Sequence, residues 1–328
     1  MSSIRTEKLT GPAVWLGSDF ADDDSWIHHL SGDEIAAIDT ALAGLKQRGL
    51  RFPHFTREDF RLGPLEPVLA RRLDELQNGR GFWLMRGLPV ERYSDGDIDT
   101  LYYGIGQHLG TPVGQNPRGD LIGGVQAVGD PADKRTRVYE TNLYLPYHSD
   151  PSDLVGLLCV RQARRGGVSS LASVAAIYNE ILENHREFLG LYYKLWWFEH
   201  LCEPQPSLSP IFSVHEGRLS CRYLRQYTEL GHEIMGQPLS AVEREALDLF
   251  DRIIGLERIR LDMMLEPGDI QFANNYVVLH SRTSFEDHDD PAIRRKLLRL
   301  WLKAPNPRPL APEFPGRNGF PLPEGAPA

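Results

Sequence analysis

The sequence has few cysteines, no long apolar run and no excess of positive charge, and each absence excludes a class of protein. Its three cysteines, Cys159, Cys202 and Cys221, lie far apart and form no C-x-x-C pair, so neither a disulfide framework nor a thiolate zinc site is expected. No apolar run is long enough to cross a membrane, and the N-terminal MSSIRTEKLTG lacks the apolar core of a signal peptide. We therefore expect a protein of the reducing cytoplasm that has no membrane partner.

Basic residues are too few to indicate nucleic-acid binding. The chain has 36 Lys and Arg against 45 Asp and Glu, a formal net charge of −9 over 328 residues. A nucleic-acid-binding domain needs a basic patch or stripe, and the short basic runs here lie among apolar residues. We expect a small-molecule substrate and no nucleic-acid partner. The sequence leaves the oligomeric state open, a homo-oligomer included.

Residues 1–80 carry a mainly helical pattern. Ser31 and Glu34 form a capping box at the start of one amphipathic helix, and PLEPVLARRLDELQNG (64–79) predicts a second. The apolar GFWLMRGLPV (81–90) predicts a buried strand, and DGDIDTLYYGIGQHLG predicts a third helix after it. The N-terminal part is therefore expected to form a helical buttress.

From about residue 135 the pattern becomes one of strands. Runs such as DLVGLLCVRQA, IFSVHEG, RLSCRYL and DIQFANNYVVLH are rich in β-forming residues, and two helices capped by Ser173 and Ser240 interrupt them. This order predicts a mainly β fold, a sandwich or barrel with helices packed outside. No linker divides the chain, so 1–328 is expected to be a single domain. Its Pro-rich tail, 304–328, should wrap the surface or be partly disordered.

The stretch LPYHSD holds the first candidate ligands. In a strand, positions two apart share a face, so His148 and Asp150 should point the same way. Such a pair can be a surface pair, a buried hydrogen bond or part of a metal site. His280 ends the apolar run YVVL and should face a core or a cavity, and alone it reads as a core histidine. Two histidines and one carboxylate make up the facial triad of non-haem Fe(II) sites.

Two arginines follow in IRRKLLRLWL. Arg295 and Arg299 share one face of this apolar strand, where a guanidinium is costly unless it binds an anion. The anion is either a local carboxylate, such as Glu286 or Asp289, or an acidic cosubstrate beside the metal. Arginine suits the second role because it grips a carboxylate with two hydrogen bonds.

In this order the motifs resemble those of the Fe(II)/2-oxoglutarate-dependent oxygenases of the taurine dioxygenase and clavaminate synthase-like family. The resemblance covers roughly residues 80 to 302. It is carried by YETNLYLPYHSD, RRGGVSSLASV, EPGDIQFANNYVVLHSRT and RRKLLRLWL. Many relatives carry Thr between the first two ligands, where this chain has Ser149. The resemblance implies a double-stranded β-helix, a jelly-roll core of cupin-like type, over residues 81–303 with helical insertions.

The same resemblance implies the roles of the site residues. His148, Asp150 and His280 would bind the iron. Arg295 would bind the distal carboxylate of 2-oxoglutarate, assisted by Ser169 or, if the local alignment slips by one, by Ser170. Further residues are expected to face an anionic or zwitterionic substrate, and they are Arg299, Asn142, Tyr144 and either Arg222 or Arg225.

The implied reaction converts 2-oxoglutarate and O2 to succinate and CO2 while an unactivated C–H bond of a small molecule is oxidised. Asp150 argues against halogenation, since halogenating relatives lack this carboxylate. The reactions that remain are hydroxylation, desaturation or another oxidative rearrangement. A zinc hydrolase could use the same two histidines and aspartate, but it leaves the arginines unexplained. A non-catalytic jelly-roll binding protein should lack a ligand or an anion-binding arginine, and none is missing here.

Overall fold

The structure is a computed structural model that describes residues 4–129, 138–199 and 205–320. Within these residues the α-helices are α1 (Gly32–Gln47), α2 (Leu65–Asn78), α3 (Asp95–Gln107), α4 (Val174–Asn184), α5 (Leu189–Tyr193), α6 (Arg225–Ile234) and α7 (Ala241–Ile254). The strands are β1 (Ile27–His29), β2 (Phe82–Arg86), β3 (Thr111–Pro112), β4 (Ile122–Val125), β5 (Leu145–His148), β6 (Leu154–Arg161), β7 (Arg165–Gly166), β8 (Ser169–Ser173), β9 (Leu195–Phe198), β10 (Ser207–Pro210), β11 (Phe212–His215), β12 (Arg218–Cys221), β13 (Arg260–Met263), β14 (Ile270–Asn274), β15 (Val278–Arg282), β16 (Phe285–Glu286) and β17 (Lys296–Lys303).

Two sheets form the centre of the fold. The larger has the strand order β1-β2-β14-β6-β17-β3, with β4 also paired to β17, and the smaller has the order β13-β8-β15-β5. Every pair in them is antiparallel except β1 with β2. Neighbouring strands are distant in sequence, as in a jelly roll. The prediction of a mainly β, jelly-roll core with flanking helices is confirmed.

Three apolar cores separate the layers. One lies between the two sheets and includes Leu171 of β8 with Leu297 and Trp301 of β17. We call the sheet surfaces that line this core the inner faces. A second core packs the outer side of the larger sheet against α1, α2 and α3, and a third packs the smaller sheet against α4, α5 and α7. Helices thus cover both outer surfaces, which buries both sides of central strands such as β6, β14 and β17 and explains their largely apolar sequences.

Capping residues and apolar periodicity in the sequence predicted most of the helices. The Ser31 side chain accepts a hydrogen bond from the Glu34 amide at 3.3 Å, and the Ser31 amide donates to the Glu34 carboxylate at 2.8 Å, which confirms the predicted capping box. Ser240 begins α7 in the same way. The prediction of only two helices among the later strands is wrong, because α5 and α6 also lie there. In α6 the buried side is formed by Thr228, Gly231 and His232, so it lacks the apolar stripe that marks a helix.

Strand β5 lies at the edge of the smaller sheet, as Pro146 required. Its pairing with β15 shifts register between His280 and Arg282. The described part of the Pro-rich tail packs on the molecule: Phe314 is 1% exposed, and Phe320 donates its amide proton to the Gly114 carbonyl at 2.8 Å. Residues 321–328 of that tail, and Cys202, lie outside the described residues.

None of the helices in the described ranges combines the length and the apolar character needed to cross a bilayer.

A buried ion pair joins β2 to the turn before β14, and its loss should be costly. Arg86 binds both oxygens of Asp269, at 3.0 and 2.7 Å, and Asp269 has no solvent exposure. We expect Arg86→Met to lower the free energy of unfolding by about 3 kcal/mol, because it leaves a buried carboxylate unpaired. Urea denaturation measures this. The matched control is Arg48→Met, which removes the exposed Arg48–Asp59 pair and should cost about 1 kcal/mol or less. Equal losses in the two variants would contradict the prediction.

Candidate metal centre

His148, Asp150 and His280 meet on the inner face of the smaller sheet. His148 ends β5 and pairs directly with His280 of β15, so the two imidazoles lie side by side with ring centroids 4.2 Å apart. Asp150 follows two residues after His148. One ligand atom from each of the three residues lies within 4.8 Å of the other two. The structure therefore brings together the three side chains that the sequence predicted as ligands.

The two histidines differ in whether Nδ1 of the ring has a hydrogen-bond partner. Nδ1 of His148 lies 2.8 Å from the Pro146 carbonyl, so it carries the proton and leaves the Nε2 lone pair free. Burial, together with the neighbouring His280, lowers the pKa of His148 to about 4, which keeps the ring neutral at physiological pH. Nδ1 of His280 is buried without a hydrogen-bond partner among the described residues. The tautomer of His148 is thus set by the backbone, and that of His280 is not.

Asp150 is a buried carboxylate with a partly unsatisfied oxygen. Burial would raise its pKa, but Arg299 and the two histidines hold the pKa well below its usual range, so the group is ionised. Its Oδ1 lies 3.4 Å from an Arg299 nitrogen, whereas Oδ2 has no hydrogen-bond partner within the described residues. The Asp150 amide donates to the Asn275 side chain at 3.0 Å, which fixes the loop after β5.

This donor set fits a bound Fe(II). A buried oxygen that lacks a partner and two converging imidazoles are what a divalent cation would satisfy, and two histidines with one carboxylate are the ligand type of non-haem iron oxygenases. No cysteine belongs to the cluster. Two histidines and one carboxylate would leave coordination positions of such a metal open for other ligands.

Arg295 lies deeper in the same core, beside a second arginine. The guanidiniums of Arg295 and Arg282 contact the ring of Phe285, at 4.9 and 4.7 Å from its centroid. The two arginines are each 4% exposed. Burial lowers the pKa of Arg295 to about 10, and burial with the nearby Arg295 charge lowers that of Arg282 to about 9. We call Arg282 and Arg295 the arginine pair.

Among the described residues neither guanidinium of the arginine pair forms an ion pair with a carboxylate, although the Asp287 carboxylate accepts a hydrogen bond from the Arg295 backbone amide at 2.6 Å. Glu286 or Asp289 was the local carboxylate expected to pair with Arg295 if no cosubstrate did. Glu286 is exposed, however, and pairs with Arg165. Within the described residues the one hydrogen bond of the Arg295 side chain goes to the Val125 carbonyl, at 3.5 Å. Two buried like charges in an apolar setting are unfavourable on their own, so an anion is the expected occupant.

The register of β8 separates the two candidate serines. Ser169 pairs with Arg282, and Leu171 pairs with His280, so Ser169 lies on the inner face with the metal cluster. Ser170 points to the other side, where its hydroxyl meets the Tyr147 hydroxyl and the Asp262 carboxylate, both at 2.5 Å.

The predicted substrate residues are spread more widely. Arg299 lies at the site, between the rings of Tyr139 and Trp301, at 4.7 and 4.3 Å from their centroids. Asn142 lies next to Phe285, the ring that the arginine pair contacts: its side-chain amide donates to the Phe285 carbonyl at 3.3 Å, and its backbone carbonyl accepts from the Phe285 amide at 3.1 Å.

Two other predicted substrate residues do not join the cluster. Tyr144 is 51% exposed and lies near Ser281, on the side of the smaller sheet that faces away from His280. Arg225 begins α6 and its guanidinium is engaged by three carboxylates. Arg222, its alternative, donates to the Pro315 carbonyl and packs on Phe314. Nothing in these contacts supports a substrate role for them.

Sequence reasoning missed Arg282, Asn275 and Gln115. Arg282 had a signal, because it follows His280 by two residues in a strand and must share its face. Asn275 follows β14 in a loop, and Gln115 lies in a turn, where periodicity carries no information.

Comparison with known proteins agrees with this geometry. The model of the family described as Taurine catabolism dioxygenase TauD, TfdA family matches residues 47–301. FR-33289 synthase of Streptomyces rubellomurinus is 34% identical over 318 residues, which cover 94% of each chain.

Two solved structures share the fold. Asparagine oxygenase in complex with Fe(II), 2S,3S-3-hydroxyasparagine and succinate superposes with a TM-score of 0.67 at 18% identity, over 84% of this chain and 93% of that one. The non-heme iron oxygenase OrfP in complex with Fe and alpha-ketoglutaric acid gives a TM-score of 0.62 at 14% identity, over 84% and 94%. The extent of the family match and the identity to the synthase are sufficient for assignment: the chain belongs to the Taurine catabolism dioxygenase TauD, TfdA family.

Proposed function

We propose that the protein hydroxylates an unactivated C–H bond of a small anionic or zwitterionic molecule. As a member of its family it is a dioxygenase, an oxidoreductase that uses Fe(II) and 2-oxoglutarate. The observation that carries the proposal is the convergence of two imidazoles and one ionised carboxylate beside a buried arginine pair that forms no ion pair among the described residues. Desaturation, or another oxidative rearrangement, uses the same groups and is an outcome of the product analysis below.

His148, Asp150 and His280 would hold the iron through Nε2, a carboxylate oxygen and Nε2. When bound, iron and 2-oxoglutarate supply the oxidising power, because O2 and 2-oxoglutarate become succinate and CO2 as one oxygen atom enters the substrate C–H bond. The protein positions the groups and keeps water away. Asp150 leaves no room for a halide among the ligands, so hydroxylation is favoured over halogenation.

Arg295 would bind the distal carboxylate of 2-oxoglutarate, and Ser169 would donate a further hydrogen bond to it. Two observations support this: the Arg295 guanidinium forms no ion pair with a carboxylate among the described residues, and Ser169 shares its inner face with Arg282. A glycine makes room for the arginine, since a Cβ at Gly167 would lie 3.2 Å from Arg295 Nε. Arg282 adds a second positive charge nearby.

The charge of the inner face favours an anionic or zwitterionic substrate. Arg282, Arg295 and Arg299 are buried there, and of these three only Arg299 forms an ion pair among the described residues, with Asp150. The charges of Fe(II) and of 2-oxoglutarate cancel, so the site still carries excess positive charge when both are bound. Arg299 is the arginine nearest the ligands, and it would attract the anionic group of the substrate. Asn142 adds a polar group beside the arginine pair.

We also propose that residues 1–328 form one oxygenase domain that works in the cytoplasm. The described cysteines support a reducing compartment, since Cys159 and Cys221 are free and buried. The net charge of −9 argues against a nucleic-acid partner, so the substrate molecule is the partner we expect.

The ligand assignment is tested by removing one ligand at a time. We expect His148→Ala, Asp150→Ala and His280→Ala each to weaken Fe(II) binding by at least about 100-fold, because a three-ligand site loses a direct bond to the metal. Anaerobic titration calorimetry measures the affinity. His54→Ala, at an exposed histidine, is the control and should bind iron normally. Retained iron binding in the ligand variants, or hydrolytic activity with Zn(II) and no 2-oxoglutarate, would contradict the assignment.

Neighbouring serines test the cosubstrate assignment. We expect Ser169→Ala to raise the KM for 2-oxoglutarate about tenfold, the loss of one hydrogen bond to a charged group. Ser170→Ala should leave that KM unchanged and instead lower the melting temperature, because it breaks the contacts with Tyr147 and Asp262. Steady-state succinate formation and thermal unfolding separate the two effects. The reverse pattern would show that Ser170 is the cosubstrate residue.

A succinate screen tests the substrate class. Small amino acids, carboxylates and sulfonates should raise 2-oxoglutarate-dependent succinate formation above the uncoupled rate, whereas their uncharged esters and amides should not, because Arg299 would lack an anion to bind. Mass spectrometry of the product distinguishes a gain of one oxygen from a loss of two hydrogens. Arg295→Ala is the negative control. Stimulation by neutral compounds alone would overturn the proposed substrate class.

A further inference from the structure

We propose that Gln115 is a positioning residue for the oxygenase reaction, which holds the Arg299 guanidinium in place against the carboxylate of Asp150. The inference rests on the proposed function and adds a residue to it. Gln115 is 2% exposed, and its Oε1 accepts a hydrogen bond from Arg299 Nε at 2.8 Å. The described hydrogen bonds of its side chain go to Arg299 and to the Leu121 carbonyl, so it would act on the metal site through the arginine.

The orientation of the Gln115 amide is fixed by its other two bonds. Its Nε2 donates to the Leu121 carbonyl at 2.9 Å and to the Arg299 carbonyl at 2.6 Å. Carbonyl oxygens cannot donate, so a flipped amide would place its oxygen against two acceptors and lose all three bonds. Gln115 therefore presents an oxygen to Arg299 and does so without a charge of its own.

Arg299 is restrained in two independent ways. The rings of Tyr139 and Trp301 restrict its plane, and the bond to Gln115 restricts rotation within that plane. With both in place, Nη1 lies 3.4 Å from Asp150 Oδ1. A neutral acceptor on Nε leaves the positive charge of the guanidinium for Asp150 and for an anionic ligand, whereas a carboxylate at position 115 would compete for it.

A glycine of the neighbouring strand makes room for this contact. Gly123 of β4 pairs directly with Arg299 of β17, and a Cβ on it would lie 2.6 Å from Gln115 Oε1. The locked amide could not move away without losing its hydrogen bonds. The adjacent Gly124 has nothing within 4 Å of an added Cβ. The chain thus offers a pair of neighbouring glycines, of which one touches the Gln115 amide and the other does not.

The experiment follows the charge-transfer absorption of the protein with Fe(II) and 2-oxoglutarate under anaerobic conditions, together with the Fe(II) dissociation constant. In Gln115→Met, which has similar volume and no acceptor, Arg299 should leave Asp150. Asp150 then loses both the donor that orients it and a neighbouring positive charge. The lost positive charge makes it a stronger electron donor, so we expect the band to move to longer wavelength. The lost orientation outweighs that gain for binding, so we expect Fe(II) affinity to fall about tenfold, as for other residues that orient a metal ligand. Gly123→Ala should change both in the same direction, and Gly124→Ala should change neither.

A double-mutant comparison shows whether Gln115 acts through Arg299. In an Arg299→Met background, Gln115→Met should produce no further change in the band or in Fe(II) affinity. A further change there would overturn the inference, as would an unchanged band and affinity in both Gln115→Met and Gly123→Ala. Circular dichroism shows whether Gln115→Met folds. If it does not, the comparison of Gly123→Ala with Gly124→Ala tests the role of Gln115 instead. A wild-type protein without the band would contradict the proposed function itself, whereas a wild-type band that no variant shifts contradicts only the role of Gln115.

Discussion

The contact between Asp150 and Arg299 is the interaction on which the site depends. Asp150 follows β5 of the smaller sheet, Arg299 belongs to β17 of the larger one, and their side chains meet across the core at 3.4 Å. A carboxylate can be buried among apolar residues only where opposite charge or donors surround it. Here the arginine supplies that charge from one side, and the two histidines adjoin it on the other. The approach of the two sheets and the ionisation of the metal-side carboxylate therefore depend on each other.

The arginine pair represents the opposite case, in which stability is given up for binding. Arg282 and Arg295 are buried on the ring of Phe285 with no ion pair to a carboxylate among the described residues, and burial depresses the pKa of each. Such an arrangement is unfavourable in the empty protein and becomes favourable when an anion enters. The same two charges that are unfavourable in the empty protein would, in the proposed function, provide the affinity for a dicarboxylate.

How much of the site could be read from sequence depended on where each residue lies in its element. Alternation within a strand is a local property, so the inward position of His280 could be predicted from the sequence alone. Asp150 does meet His148, as predicted, but it lies in the loop after β5, where strand alternation does not apply. The choice between Ser169 and Ser170 could not be predicted, because it depends on the register of β8 against β15. Spacing also gave no sign that Tyr144 faces outward.

Gln115 was beyond sequence reasoning for a different reason. It lies in a turn, and it reaches the site only because β4 pairs with β17 and brings Gly123 opposite Arg299. The hydrogen bonds of its amide join that turn to the backbone and to the side chain of the same arginine. Through the arginine the turn is connected to Asp150, although no residue of the turn is a ligand. A substitution in the turn would therefore change the electrostatic environment of the cluster while His148, Asp150 and His280 stay in place.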